Sequence, residues 1–261
     1  LTNIAGCFQS LGKYDKALEY YEKSMRIISK AYDYRDHPDI ATSLNNIGIC
    51  YADLKNYNKA LEYYEKSMEM RKNVYKEDHP SIAASLNNIG ACYASLENYS
   101  EALEYHEKSL NIKKKVYQED HPDIAESLVN IGFCYSNLGD NEKALEYHEK
   151  SLEMRKNVYK GDHPSIAASL NNIGSCHFSL ENYSKALEYF EKSFEIYKKL
   201  YKEEDHPSIV MSLNNIGSCY LCLENYSKAL EVDDKLLELL NQNFCLETNY
   251  DSETYLNVII V

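Results

Sequence analysis

One phrase recurs through the chain and limits what it can fold into. It reads LNNIGACYASLENYSEALEYHEKS from Leu86 to Ser109, and near copies begin at Leu1, Leu44, Leu128, Leu170 and Leu213. The first, LTNIAGCFQSLGKYDKALEYYEKS, is already under way at residue 1. Gly48, Gly90, Gly132 and Gly174 follow one another at 42 residues, and Gly217 follows at 43, with Glu203-Glu204 supplying the extra residue. A chain that copies itself at this period is an array. One copy cannot bury its own apolar face, so neighbours must stack.

Each copy reads as two helices. The first starts at an Asp-His-Pro turn, beginning at Asp36, Asp78, Asp120, Asp162 and Asp205. Proline suits the first helical position, where its missing N–H would be unpaired anyway. The Asp or His before it is placed to cap, and Asp39 and Asp123 suit the positive helix end. Short polar turns such as Lys55-Asn56 and Glu97-Asn98 lead to a second helix, from about Tyr99 to Tyr117 in the third copy. At about 100° per residue, Leu44, Ile47, Gly48, Tyr51 and Leu54 share one face of a first helix. Tyr57, Ala60, Leu61 and Tyr64 share the matching face of the second. The pairs Glu62/Lys66, Glu104/Lys108, Glu146/Lys150 and Glu188/Lys192 stand four apart in the favoured order, on a solvated outer face.

Composition removes whole classes. A formal charge of −13 and a pI near 5.1 argue against nucleic acid and anionic membrane as partners. No run of about 18 apolar residues predicts a membrane span. A chain that starts with Leu1 inside a repeat reads as a piece of a longer one. Cys7, Cys50, Cys92, Cys134, Cys176 and Cys219 share one repeat slot, which points to packing. Cys219 and Cys222 form a lone C-x-x-C, weak as a metal site without a second pair. Free thiols suit a cytoplasmic chain. The Asn-x-Ser triplets at Asn98, Asn182 and Asn225 each open the same turn.

The histidines read as structural. Five belong to the Asp-His-Pro turns, His106 and His148 stand in the slot of Tyr64, and His177 stands in that of Tyr51. No nucleotide, zinc-protease or nucleophile-elbow motif occurs. The expectation is a chain with no catalytic residues, no metal and no cofactor.

The slots Leu44, Ile47, Gly48, Tyr51, Tyr57, Ala60, Tyr64 and Ser67 resemble the tetratricopeptide repeat, with leucine for the usual tryptophan and serine for the usual alanine. The 42-residue period, the His-Pro-[Ser/Asp]-Ile-Ala start and the long second helix resemble the kinesin-light-chain type. The resemblance implies an all-α, right-handed superhelical solenoid of antiparallel helix pairs over residues 1–240. Its six repeats fall at about 1–36, 37–78, 79–120, 121–162, 163–205 and 206–240. Val232 and Asp233 mark a worn last copy. Residues 241–261, ending in Val258-Ile259-Ile260-Val261, form a degenerate repeat or a capping segment.

On the first helices, the face opposite the packed one holds four slots per copy. They are Thr42, Asn46, Ile49 and Asp53, then Ala84, Asn88, Ala91 and Ser95, then Glu126, Asn130, Phe133 and Asn137. Ala168, Asn172, Ser175 and Ser179 follow, then Met211, Asn215, Ser218 and Cys222. The asparagine alone never changes, and Asn3 continues it. Asparagine is not a strong helix former, and its amide offers two donors and an acceptor. A row of amides can hold the main chain of a peptide whatever its sequence. By resemblance, this face lines the concave groove, and asparagine here matches one that contacts peptide main chain.

The expected peptide-binding residues are therefore Asn46, Asn88, Asn130, Asn172 and Asn215, with Asp53 and Glu126 as acids and Phe133 and Met211 as apolar anchors. The other reading of the asparagines, that they bond neighbouring repeats or are inherited by duplication, stays open. The companion row Asn45, Asn87, Asn171 and Asn214 breaks at Val129 and is expected to bond between repeats. The groove slots hold no Lys or Arg. The resemblance therefore implies neither the basic clamp of chaperone adaptors nor the basic groove that kinesin light chains offer to acidic-flanked tryptophan motifs. The expected partner is a neutral or basic, amphipathic peptide. The expected function is a protein-protein interaction scaffold, by resemblance a motor–cargo adaptor. The second reading is a sensor or regulatory array whose catalytic or nucleotide-switch domain lies outside this chain.

Overall fold

The computed structural model of the chain describes residues 1–117, 119–201 and 206–244, with side chains to Leu239. The insertion at Glu203-Glu204, Asp205, and residues 245–261 of the expected capping segment lie outside the described residues, while residues 241–244 of that segment continue the last helix. The described residues form twelve helices and no strand. The first repeat gives α1 (Thr2–Ser10) and α2 (Tyr14–Ala31), and the second gives α3 (Pro38–Asp53) and α4 (Tyr57–Tyr75). The third gives α5 (Pro80–Ser95) and α6 (Tyr99–Val116), and the fourth α7 (Pro122–Asn137) and α8 (Asn141–Tyr159). The fifth gives α9 (Pro164–Ser179) and α10 (Tyr183–Leu200), and the sixth α11 (Pro207–Cys222) and α12 (Tyr226–Phe244). They divide into two compact units, Leu1–Val158 and a second starting at Tyr159. Within each unit helices pack on their neighbours in sequence, pair after pair, as an all-α solenoid. Among the described residues no helix is long and apolar enough to cross a membrane.

The Asp-His-Pro turns assign one job to each residue. Proline takes the first position of α3, α5, α7, α9 and α11. Histidine, not aspartate, is the cap. Nδ1 of His37, His79, His121, His163 and His206 accepts the main-chain N–H two residues on, at 3.1–3.2 Å. An accepting Nδ1 places the ring proton on Nε2. Each ring also stacks on a tyrosine at the end of the preceding helix, Tyr32, Tyr75, Tyr117, Tyr159 or Tyr201, with centroids 3.4–3.6 Å apart. The aspartate reaches elsewhere. Asp36, Asp78 and Asp120 accept from Asn73, Lys115 and Asn157 near the end of the following second helix, at 2.7–2.8 Å. Lys199 lies 3.4 Å from Asp162.

Inside the second to fifth pairs, a ring lies against a glycine. A Cβ on Gly48 would come within 2.7 Å of the Tyr64 ring. The same holds for Gly90 on His106 at 2.8 Å, Gly132 on His148 at 2.7 Å and Gly174 on Phe190 at 2.7 Å. A buried serine then locks the pair. Ser67, Ser109, Ser151 and Ser193, all fully buried, donate to the carbonyls of Ala41, Ala83, Ala125 and Ala167 at 2.7–2.8 Å. This is why serine can replace the usual alanine. A satisfied buried hydroxyl contributes about 1 kcal/mol instead of costing a desolvation penalty.

The last pair is worn. Asp233 takes the ring's slot, and a Cβ on Gly217 would meet Asp233 and Val232 at an ordinary 3.5 Å. Two substitutions of the same kind should therefore diverge. In urea unfolding, Gly132→Ala should destabilise by about 1–3 kcal/mol through overpacking. Gly217→Ala should be neutral or stabilise by up to about 1 kcal/mol through helix propensity.

Candidate peptide-binding face

The outward slots of the first helices carry the asparagine row. In the first unit, Asn46, Asn88 and Asn130 are half-buried on α3, α5 and α7. Nδ2 of Asn88 donates to Oδ1 of Asn45 at 3.1 Å, and Nδ2 of Asn130 to Oδ1 of Asn87 at 2.9 Å. In the second unit, Nδ2 of Asn215 donates to Oδ1 of Asn171 at 2.9 Å, and Asn172 is half-buried. The companion row thus bonds between repeats. Each clasped asparagine spends one N–H and keeps Oδ1 and a second N–H. The clasp fixes which way the amide points. Asn46 has no such clasp, because Thr2 occupies the companion slot and pairs with Ser24.

The clasp continues inward. Oδ1 of Asn87 also lies 3.1 Å from Nδ1 of His106. That oxygen already accepts from Asn130, so the His106 ring donates from Nδ1. One repeat on, Val129 replaces the asparagine, and Nδ1 of His148, in a side chain 3% exposed, has no hydrogen-bond partner among the described residues. Burial pushes both imidazoles down to about 4.

The other expected site residues differ in availability. Asp53 is exposed but accepts from Gln9 at 2.8 Å, whose own Oε1 takes the Tyr21 hydroxyl at 3.1 Å. Glu126 is exposed. Phe133 is 49% exposed, with its ring edge-on to Tyr99 at 6.1 Å. Met211, in the second unit, is 44% exposed. The first unit therefore brings Asn46, Asn88, Asn130, Asp53, Glu126 and Phe133 onto first helices of one stack, and the second carries Asn172, Met211 and Asn215.

The shared cysteine slot is a packing slot. Cys50, Cys92, Cys134, Cys176 and Cys219 are buried and free, while Cys7 on the first helix is exposed. Burial pushes the thiols of Cys50, Cys92 and Cys134 up to about 11 and that of Cys219 to about 12. Few thiolates form at neutral pH, so these side chains are poor nucleophiles and poor ligands. Among the described residues no three His, Cys, Asp or Glu side chains gather to hold a metal.

Sequence reasoning missed a buried cation in the second helices. Arg71 is 7% exposed and donates to the Ser81 carbonyl at 2.6 Å and Ser85 Oγ at 2.8 Å. Lys113 is 6% exposed and donates to the Asp123 carbonyl and Ser127 Oγ, both at 2.9 Å. The signal was the 42-residue spacing of the two cations on an otherwise apolar face.

The buried histidines give a pH dependence with a definite sign. The fold favours the neutral ring, so the unfolded chain takes up protons first as pH falls. Stability is intact above about 6.5 and is lost as pH drops from there towards 4, by at most about 3 kcal/mol for each ring. His148→Phe copies the fifth repeat, where Phe190 lies on Gly174. It should raise stability at neutral pH by about 1–3 kcal/mol by removing the orphaned nitrogen. It should also reduce the loss between pH 7.5 and 5, read from urea midpoints at the two pH values.

Comparison with known proteins agrees with this anatomy. One tetratricopeptide repeat profile matches residues 1–73, 39–115 and 123–199, and another matches 212–247. No curated protein matches the chain. Three solved structures are similar. A Podosopora anserina protein assigned as a kinesin light chain, with nearly identical TPR-like repeats, is 21% identical, with a TM-score of 0.69 over 80% of this chain and 98% of that one. BtubC (BKLC) from P. vanneervenii is 16% identical, with a TM-score of 0.78 over 92% of this chain and 95% of that one. A Signal Transduction ATPase with Numerous Domains protein from Pyrococcus horikoshii, which has a tetratricopeptide repeat sensor, is 21% identical. Its TM-score is 0.76 over 95% of this chain but 36% of that one. Likeness at this level of identity concerns the fold. By its repeat profile and its paired helices, the chain belongs to the tetratricopeptide repeat family.

Proposed function

We propose that the chain is a non-catalytic interaction module that holds an extended or helical segment of a partner protein on the outward face of its first helices. Tetratricopeptide repeats are protein-interaction scaffolds, which supports the class. The observation that carries the assignment is the asparagine clasp. Asn88, Asn130 and Asn215 are oriented by a neighbour and still have a donor and an acceptor to offer. Amides fixed before a ligand arrives lose less entropy when it binds. In the first unit the amides are Asn46, Asn88 and Asn130, with Asp53, Glu126 and Phe133 on the same helices, and in the second they are Asn172 and Asn215, with Met211. The buried free thiols fit a cytoplasmic setting. A motor–cargo adaptor is one version of this role, supported by the kinesin-light-chain-like repeat. A sensor array beside a catalytic or nucleotide-switch domain outside this chain is the second reading, favoured by the Pyrococcus horikoshii likeness.

The test uses 12-residue random peptides displayed against the immobilised chain. Replacing Asn46, Asn88 and Asn130 together with alanine should weaken the selected peptides by roughly a hundredfold, three hydrogen bonds at about 1 kcal/mol each. Helicity by circular dichroism should stay intact. Undiminished binding by that folded triple variant would remove the ladder from the site.

A further inference from the structure

The outward slots of α5 are small and those of α7 are not. Ala84, Ala91 and Ser95 are exposed on α5. The matching slots on α7 hold Glu126, Phe133 and Asn137, also exposed, although the two repeats are near copies. Packing does not ask for the change. Phe133 leaves about half its surface in water, and its ring partner is the edge of Tyr99. Glu126 does lie in the field of the buried Lys113 ammonium. Yet Arg71 is buried at the matching position one repeat earlier, with Ala84 in the glutamate's slot. A buried cation at this position therefore does not need the acid.

Glu126, Asn130 and Phe133 stand at i, i+4 and i+7, so an acid and an aromatic flank one ladder amide on a single helix face. No outward slot of the first helices holds Lys or Arg, and the chain carries −13. The local charge is complementary to a cation. α5 is in contact with α7, and its exposed outward slots hold only Ala84, Ala91 and Ser95 beside Asn88.

We propose that α7 is where this array reads side chains. It takes a segment of a partner protein in which a lysine or arginine and a bulky apolar residue flank a stretch of main chain held by Asn130. The cation goes to Glu126, and the apolar side chain lies on Phe133. Seven residues of helix span about 10 Å, the length of about three residues of extended chain. The two ligand side chains therefore stand about three residues apart or closer. The remaining amides hold main chain alone and tolerate any sequence. This assignment rests on the amide row being the ligand site.

The probe is the set of 12-residue peptides enriched from the random display library on the intact chain, each synthesised and titrated by fluorescence anisotropy. Phe133→Ala and Glu126→Ala install residues that the third repeat already carries at these slots, so both variants should keep the fold. Enriched peptides should pair Lys or Arg with a bulky apolar residue at that spacing. Phe133→Ala should weaken them roughly tenfold, as loss of an aromatic anchor does. Glu126→Ala should weaken them about threefold at low salt and remove most of the salt dependence. Peptides that bind both variants as tightly as the parent, yet are lost from the triple asparagine variant, would overturn the reading role of α7 and leave the amide row standing. Peptides indifferent to all of these substitutions, or no enrichment at all, would overturn both.

Discussion

In the second to fifth repeats a ring laid against a glycine sets how closely the two helices approach, and the packing around each pair follows from that distance. With Tyr64, His106, His148 or Phe190 resting where a Cβ would be, the serine one turn further along reaches the carbonyl of the opposite helix. The end of the second helix then meets the turn that opens the next repeat, where a tyrosine stacks on the capping histidine. Each contact is local and each is copied. No long-range pairing has to form before a pair gains its own packing energy, which suits a repeat fold.

The ring slot is also where the copies differ most in polarity, and the consequences are legible atom by atom. Phenylalanine fills it at no polar cost. Histidine needs a partner for Nδ1, and Asn87 supplies one for His106. The change to Val129 removes the same partner from His148. One substitution on a first helix thus strands a nitrogen on a second helix. Asn87 therefore serves two ends, holding the outward amide of the next repeat and satisfying a ring within its own.

Much of this was readable from residue numbers. The period, the helix pairs, the close glycine and the structural role of the turn histidines all follow from spacing and helix geometry. The family resemblance follows from the same slots. What spacing could not decide was partner choice between two eligible groups. Asp36 and His37 are both fair caps by type, and the stacking of His37 on Tyr32 decides in favour of the imidazole. Likewise Asn45 and Asn46 are adjacent and chemically identical. The bond from Asn88 to Asn45 is a fact of inter-repeat geometry that no single helical wheel contains. Lysine and arginine are mostly surface residues, so residue type alone does not bury Arg71 and Lys113. Their burial depends on serine and carbonyl acceptors ten and fourteen residues ahead, in the next repeat.

The clasp divides each outward amide into a hydrogen already committed and a hydrogen still free, and on that division the functional account stands. Solvent exchange of the side-chain amide protons of Asn88 and Asn130, followed by ¹⁵N-resolved NMR with and without a selected peptide, measures it directly. The account predicts one protected and one fast-exchanging proton on each amide in the free chain, and slowing of the fast one on binding. Two fast protons in the free chain, or exchange that a saturating peptide leaves unchanged, would contradict it.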